Sequence, residues 1–590
     1  MVQSRTHHCN ELRLGDVGQT VVLAGWYENL RRVSKNLGFL ILRDFYGKTQ
    51  IVIETEEMMT RLASINTEST LSITGVVRER SNKSTALPTG EIEVVPSELT
   101  LLGLCHYAEL PFEINRSKEA AESTRLKYRY LDLRNPVVKD QIILRSQVFT
   151  ELRSRMSEHH FMEITTPILT CSSPEGARDY LVPSRNHPGK FYALPQSPQQ
   201  FKQLLMTSGI DRYFQVAPCF RDEDGRADRS PGEFYQLDME MAFATQEDVF
   251  AILENVMPPV FEKYGIYHTK AEVPFRRISY RDAMDKYGSD KPDLRIDLVL
   301  QDATAVLRDC GFPAFAQDMD SNTAIKAIVV SGYAPTRKQI DKMCADVEVE
   351  TGQKVYWFRM DEEGNLIGGI SKFLQEQKDL ITEKLSIQKG DFVGVTGGTR
   401  DLATKAAGVY RRLLGNAAPS HMHKEVYEFC WIVDFPMYEI GEESGTIDFC
   451  HNPFSMPQGG ADALSHQDPL SILAYQYDLV CNGVELCSGA VRNHDPEIMV
   501  QAFALAGLGE DVVKSKFPAM YNAFCYGAPP HAGSAVGIDR MVMLLAEEDS
   551  IREVIPFPMS KNALDVMMGA PSDVTEKQLK DVHIKIELPN

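Results

Sequence analysis

An α+β protein of several domains is what this sequence of 590 residues predicts. Three observations carry the prediction. Short β-like runs alternate with turns over the first hundred or so residues. Further on, two amphipathic strands enclose the charged stretch Phe220-Arg221-Asp222-Glu223-Asp224-Gly225-Arg226. From 288 to 418 strands and helices mix, with glycine-rich turns such as Gly397-Gly398. At about 100 to 200 residues per domain the length allows three or four domains, each with ample core.

Composition narrows the class. A content of 43% hydrophobic and 24% charged residues is ordinary for a globular protein and gives no sign of disorder. No run of 18 apolar residues and no signal peptide is present, since polar His7, His8 and Asn10 follow the start. A cytoplasmic protein without a membrane partner is expected. The 11 cysteines are scattered, with no Cys-x-x-Cys pair and no zinc spacing, so neither a disulfide framework nor structural zinc is supported. A net charge of −20 argues against indiscriminate nucleic-acid binding but leaves room for a focused patch. Arg31-Arg32-Val33-Ser34-Lys35 is a candidate, the alternative being a solvated loop.

In chain order, the runs 21–25, 39–43, 50–54, 71–77 and 91–95 suit a small barrel, the five-stranded OB type leading. This assigns residues 1–104. Residues 105–137 lose periodicity and read as a hinge. A helix over 139–160 follows, then a strand over 161–166 stopped by Pro167. Residues 138–287 form the first part of the main domain, 288–421 an inserted α/β domain, 422–561 the second part and 562–590 a C-terminal extension.

On the strand after the charged loop, alternation puts Phe234, Gln236, Asp238 and Glu240 on one face, and Leu237, Met239, Met241 and Phe243 on the other. Phe234 and Asp238 then stand roughly 13 Å apart, about the length of an amino acid joined to AMP. An aromatic platform would meet the base, and a carboxylate the ammonium. The alternative is an amphipathic strand pair with a solvated loop.

Gln196-Ser197-Pro198-Gln199-Gln200-Phe201-Lys202 reads as a helix start, with Ser197 as N-cap, Pro198 at the first helical position and Gln200 completing a capping box. Lys202 in the first turn opposes the helix dipole and so suggests an anionic ligand, a carboxylate, against the plainer reading of a solvated lysine. Gly527-Ala528-Pro529-Pro530-His531-Ala532-Gly533 leads through Gly537-Ile538-Asp539-Arg540 into an apolar helix. There Arg540 can stack on a base or pair with phosphate, unless Asp539 or Glu547 binds it locally. Asp478 and Glu485 suit Mg²⁺, which needs one or two carboxylates plus substrate phosphates. Arg492 offers a fork for a carboxylate. Seven residues apart, Glu485 and Arg492 face one site only across a bulge, expected at Cys487-Ser488-Gly489.

These segments, in this order, resemble the signature motifs of class II aminoacyl-tRNA synthetases, and the bacterial-type aspartyl branch most nearly. Supporting strings are Arg125-Leu126-Lys127-Tyr128-Arg129-Tyr130-Leu131-Asp132-Leu133-Arg134, Pro174-Glu175-Gly176-Ala177-Arg178-Asp179-Tyr180 and Phe191-Tyr192-Ala193-Leu194-Pro195-Gln196-Ser197-Pro198-Gln199. The resemblance implies an antiparallel-sheet catalytic core with an N-terminal OB anticodon-binding domain and a large insertion. It implies a cytoplasmic homodimer that joins L-aspartate to tRNA-Asp through aspartyl-AMP, using ATP and Mg²⁺. Whether tRNA-Asn is charged as well stays open. Alternatives are a tRNA-independent acyl-adenylate-forming ligase and a non-catalytic RNA-binding protein.

By the same resemblance, Arg221 would hold the α-phosphate and the attacking carboxylate, and Glu223 would act near the ATP amino group or the tRNA end. Phe234 and Arg540 would sandwich adenine or reach the γ-phosphate, with Asp222, Gly537, Ile538 and Asp539 also at ATP. Asp478 and Glu485 would hold Mg²⁺. Lys202 and Arg492 would read the aspartate side chain, while Glu175, Ser197, Gln199 and Asp238 address its ammonium or close over it, and His451 completes the pocket. In the barrel, Phe39 and Gln50 match positions that stack on and read anticodon bases, and Arg32 a backbone contact, with barrel packing or plain exposure the alternative. The chain departs from many relatives at Asn452, at Cys487 and Ser488, in a motif 2 loop one residue longer around Ser230 and Gly232, and at His160, where glycine is usual.

Overall fold

The computed structural model describes residues 4–172, 177–270, 272–315, 322–441 and 444–588. The chain falls into two compact units, Met1–Ser117 and Lys118–Asn590. The boundary lies within the stretch read as a hinge.

The first unit is built on a closed barrel with the strand order Thr20–Arg32, Gly38–Arg43, Lys48–Ile53, Ile92–Gly103, Thr70–Glu79. Each of the five β-like runs becomes a strand. The first reaches well past its apolar run because a bulge between Tyr27 and Asn29 breaks the alternation yet keeps the pairing with Gly38–Arg43. Val21, Leu23, Leu40, Leu42, Ile51, Leu71, Ile73 and Val94 fill the interior, and Met59 and Leu62 of the helix Glu56–Ala63 pack against them.

In the second unit, the described residues include a nine-stranded sheet. Its order is His268–Lys270, Val426–Pro436, Leu473–Cys481, Val484–Val491, His531–Gly537, Gly232–Ala242, Arg212–Arg221, Met162–Glu163, with Arg276–Ser279 also pairing to Val426–Pro436. The six central strands pair antiparallel, and the short flanking strands pair parallel. One face is apolar. Phe214, Val216, Leu237, Met239, Met241, Trp431, Leu479 and Val536 join Val148, Leu152 and Met156 of the helix Pro136–Glu158 and the buried side of Gln246–Tyr264 in one core. The other face is polar, and the cavity described below lies on it.

Several local readings are corrected here. The strand expected over 161–166 is only Met162–Glu163. His160 has a φ of 64°, a left-handed conformation that a glycine would adopt without strain. The strand Gly232–Ala242 ends one residue before Phe243, which turns out at a φ of 54° with 76% exposure and does not join Leu237, Met239 and Met241. Among the described residues, the segment 301–399 supplies a five-stranded sheet, with Thr323–Val330 and Val355–Met360 flanking Phe392–Thr399 and the short Gln301–Asp302 and Leu366–Ile367 at its edges, covered by Arg337–Thr351 and Arg400–Ala417.

Candidate active site

A cavity of about 480 Å³ opens on the polar face of the nine-stranded sheet. Its inner end is a buried quartet of charges. Lys202 is 2% exposed, and its Nζ donates to Asp238 Oδ1 at 2.6 Å and lies 3.4 Å from Glu240 Oε2. Arg492 grips Glu240 through Nε and Nη2, at 2.9 and 3.3 Å. Burial acts to raise the Glu240 carboxyl, but Arg492 and Lys202 outweigh it and hold it below the usual range. For Asp238 burial wins over Lys202, and its carboxyl is pushed up.

The quartet balances two cations against two carboxylates, yet it is not saturated. Asp238 Oδ2 is buried and meets no donor at hydrogen-bonding geometry, although the Tyr213 hydroxyl, which donates to Gln215 Oε1 at 3.0 Å, interacts with the Asp238 carboxylate as well. Arg492 has donors beyond the two that meet Glu240, and Lys202 has a third N–H. The inner end therefore offers a free acceptor beside free donors, the arrangement that a zwitterion carrying a second carboxylate would complete.

Lys202 reaches this place from the helix Gln199–Thr207, which starts one residue later than the sequence suggests. Pro198 is the N-cap, without a side-chain cap, so Ser197 lies outside the helix and lines the cavity. The buried face is Gln199, Lys202, Gln203 and Met206, a helical spacing in which three of four residues are polar.

The same cavity is lined by Asp478, Glu485, Arg221, Phe234, Arg540 and His451. The bulge needed to bring Glu485 and Arg492 to one side exists, at Leu486 rather than at Cys487-Ser488-Gly489. Leu479 pairs with Cys487 while Val480 pairs with Glu485, so Leu486 is the extra residue, and Leu486 and Cys487 both enter the core. Burial, and after it the Glu485 charge, pushes the Asp478 carboxyl well up. Burial opposes ionisation of Glu485 too, but Lys291 and Arg540 keep it low. Lys291 Nζ lies 3.0 Å from Glu485 Oε2, and Asp478 Oδ1 is buried without a hydrogen-bond partner. An orphaned oxygen beside a second carboxylate fits a divalent cation that also takes phosphate oxygens. Among the described residues, no group of three or more His, Cys, Asp or Glu is placed to hold a metal by itself.

The Arg221 guanidinium lies 5.0 Å from the Phe234 ring centroid, and its Nε has no partner. Arg540 is held neither by Asp539 nor by Glu547. It donates to the carbonyls of Glu485 and Asp228 at 3.1 and 3.2 Å. Glu223 accepts from Arg229 at 2.6 Å. Burial holds the His451 ring below its ordinary range, hence neutral.

The cavity thus collects Ser197, Gln199, Lys202, Arg221, Glu223, Phe234, Asp238, His451, Asp478, Glu485, Arg492, Gly537, Asp539 and Arg540. Two residues expected at ATP are placed differently. Asp222 is not among the lining residues and contacts Arg178, and the Ile538 side chain is buried in the sheet core. Asp539 is tied down on its own side, accepting from the Tyr235 N–H at 3.0 Å and pairing with Arg145 at 2.7 Å. Glu175 lies outside the described residues. Sequence reading missed Lys291 and Asp290, which border the inserted segment, and Glu240 as a partner of Arg492. A lysine beside Asp290 in a glycine- and serine-led turn gave no periodic signal.

In the barrel a groove of about 380 Å³ is lined by Asn29, Leu30, Arg31, Phe39, Ile41 and Gln50. Phe39 lies under the Arg31 guanidinium at 4.9 Å, and Gln50 is held by Glu93 at 3.0 Å. Arg32 is turned away and donates to the Met59 carbonyl, so the basic residue of this groove is Arg31.

Residues 121–561 match the model of the tRNA synthetases class II (D, K and N), and residues 21–102 that of the OB-fold nucleic acid binding domain. The chain is 50% identical to an aspartate--tRNA ligase of Streptomyces coelicolor, over 100% of both chains. It is 49% identical to an aspartate--tRNA(Asp/Asn) ligase of Rickettsia felis, covering 99% of this chain and 98% of that one. Among solved structures, the asparaginyl-tRNA synthetase of Pyrococcus horikoshii complexed with asparaginyl-adenylate shares the fold at a TM-score of 0.60 and 18% identity, over 96% of this chain and 100% of that one.

Proposed function

The chain belongs to the class II tRNA synthetases of the D, K and N group, and from this premise we propose that it attaches L-aspartate to tRNA-Asp in two ATP-dependent steps. Aspartate and ATP give aspartyl-AMP and pyrophosphate, and the aspartyl group then passes to a hydroxyl of the terminal adenosine of the tRNA. The observation that carries this reading is the quartet Lys202–Asp238–Glu240–Arg492 meeting the cavity that Arg221, Arg540, Asp478 and Glu485 also line.

No side-chain nucleophile is required, because the substrate carboxylate attacks phosphorus and the site supplies position and charge. Asp238 Oδ2 and Gln199 take the ammonium of aspartate. The free donors of Lys202 and Arg492 take its side-chain carboxylate. An asparagine amide would turn its NH₂ against those donors, and buried polar groups left unpaired discriminate by about 10⁴-fold. Phe234 stacks on the adenine. Arg221, beside it, bridges the attacking carboxylate and the α-phosphate, while Arg540 meets the outer phosphates. Asp478 and Glu485 would hold Mg²⁺, which when bound neutralises phosphate charge. Lys291 keeps Glu485 paired otherwise.

The OB barrel weighs against a tRNA-independent ligase, and the cavity against a non-catalytic RNA-binding protein. The barrel groove of Arg31, Phe39 and Gln50 receives anticodon bases, and the enzyme works as a cytoplasmic homodimer. Among the described residues no helix is long and apolar enough to cross a membrane. Relatives named for tRNA-Asp alone and for both tRNA-Asp and tRNA-Asn match at 50% and 49% identity, so side-by-side charging of the two transcripts decides the specificity. For the chemistry, Arg221→Ala is expected to slow aspartate-dependent pyrophosphate exchange by at least about 10²-fold, the scale of losing one transition-state donor. Near-normal exchange in that variant sinks the assignment.

A further inference from the structure

Behind the quartet lies an ordered chain of polar groups that the proposed chemistry does not use directly. His531 is fully buried on the strand His531–Gly537. Its Nδ1 lies 2.8 Å from the Pro529 carbonyl oxygen. A carbonyl only accepts, so Nδ1 carries the proton, and in the neutral ring Nε2 is then an acceptor. Burial, working against the pull of Glu240, keeps the ring neutral. Nε2 stands 3.1 Å from Gln203 Nε2. The Gln203 amide nitrogen therefore donates to His531, and its oxygen is left facing Gln199. Gln199 Nε2 donates to that oxygen at 3.2 Å. With its nitrogen engaged at the back, the amide of Gln199, a cavity-lining residue, has its oxygen left for the substrate.

We propose that His531 and Gln203 are positioning residues that hold the Gln199 amide with its oxygen toward the cavity, as an acceptor for the substrate ammonium beside Asp238. An amide's oxygen and nitrogen ends are nearly equal in shape, so packing alone does not choose between them, and only the hydrogen-bond pattern does. The Pro529 carbonyl is the one group in the chain that cannot reverse its role. It sets the direction for all three side chains. A reversed Gln199 would present an NH₂ to an ammonium, donor against donor, and would set like groups together at one link of the relay: oxygen against oxygen at Gln203, or, if Gln203 reversed as well, acceptor against acceptor at His531. The inference rests on the aspartate-activating reading.

The test compares Gln203→Leu with Gln203→Glu. Leucine removes both ends of the relay. Glutamate keeps an acceptor toward Gln199, and its charge can be met by His531 taking a second proton on Nε2 while Nδ1–H stays on the Pro529 carbonyl. For Gln203→Leu the KM for aspartate in pyrophosphate exchange should rise about 10- to 100-fold, the scale of an unpaired buried polar group. Its KM for ATP, and its inhibition by succinate, the same diacid without the ammonium, should stay at wild-type values. Gln203→Glu should keep an aspartate KM close to wild type. An unchanged aspartate KM in Gln203→Leu overturns the proposal, as does an equal loss for aspartate and succinate, or a Gln203→Glu as impaired as the leucine variant. Wild-type enzyme without aspartate-dependent exchange would overturn the functional reading itself, and the proposal with it.

Discussion

Lys202 is a cation whose removal is felt twice, because it serves the substrate and the protein at once. With Nζ between Asp238 and Glu240, at 2.6 and 3.4 Å, it neutralises carboxylates that are both fully buried. Taking away one partner of such a pair strands the other, at a cost of about 3–5 kcal/mol. Lys202→Met is therefore expected to lose aspartate-dependent exchange and also to lower the free energy of unfolding by about that amount, read from urea titrations. Adding Asp238→Asn removes the stranded charge, so the double variant should recover a large part of the stability and none of the exchange. A double variant no more stable than Lys202→Met would mean that the lysine does not carry the quartet. Sequence reading saw Lys202 as a lysine facing an anion but supplied the anion from the ligand alone. The structure supplies two from the strand Gly232–Ala242.

At the scale of elements, the site depends on backbones approaching closely enough for side chains to cross between strands. Gly533 pairs with Glu240, and a Cβ there would stand 2.1 Å from Glu240 Oε2 and 2.2 Å from the Met239 carbonyl oxygen. Gly533→Ala must push the Glu240 carboxylate off Arg492 or spread the two strands. Expected are a loss of aspartate-dependent exchange of at least about 10²-fold and a destabilisation of about 1–3 kcal/mol, the usual cost of overpacking. Wild-type exchange in a folded Gly533→Ala protein would refute this account of the glycine. Alternation in the sequence was enough to find the strand Gly232–Ala242 and the buried face of Leu237, Met239 and Met241, but it carried that face on to Phe243, beyond the strand's end. The helix Gln199–Thr207 was found, but its buried side was not legible. Gln199, Lys202 and Gln203 bury polar groups where periodicity looks for apolar ones. The bulge was foreseen from the spacing of Glu485 and Arg492 and misplaced by one residue or more, since Leu486 looks like any other core residue of a regular strand.

At the scale of the whole molecule, distant parts of the chain are fastened to one another before they can serve one site. Arg125 donates to both Glu553 oxygens at 2.8 Å and also pairs with Asp132, joining the entry of the second unit to residues more than four hundred positions on. Burial works to raise the Glu553 carboxyl, but Arg125 outweighs it and holds it below its ordinary value of 4.5. A depressed carboxylate contributes stability that is complete above that ordinary value and is lost as pH falls through the lower folded one. Glu553→Gln should therefore be less stable than wild type near pH 7 and lose less on acidification below about pH 4.5, a flatter acid limb in denaturant titrations. An acid limb as steep as wild type would count against the clasp. The barrel poses the complementary question, because its groove belongs to the unit Met1–Ser117 and the chemistry to Lys118–Asn590. With a net charge of −20, the chain has little general attraction for RNA, so recognition must come from focused contacts such as base stacking. Stacking one base on an aromatic ring is worth about 1–3 kcal/mol. Phe39→Ala removes the ring under Arg31 without touching any residue of the cavity. It should weaken tRNA-Asp about 5- to 150-fold in the KM for aminoacylation, while pyrophosphate exchange in the absence of tRNA runs at the wild-type rate. Equal losses in both assays would mean that Phe39 supports the fold rather than the tRNA, and no loss in either would remove the groove from the recognition surface.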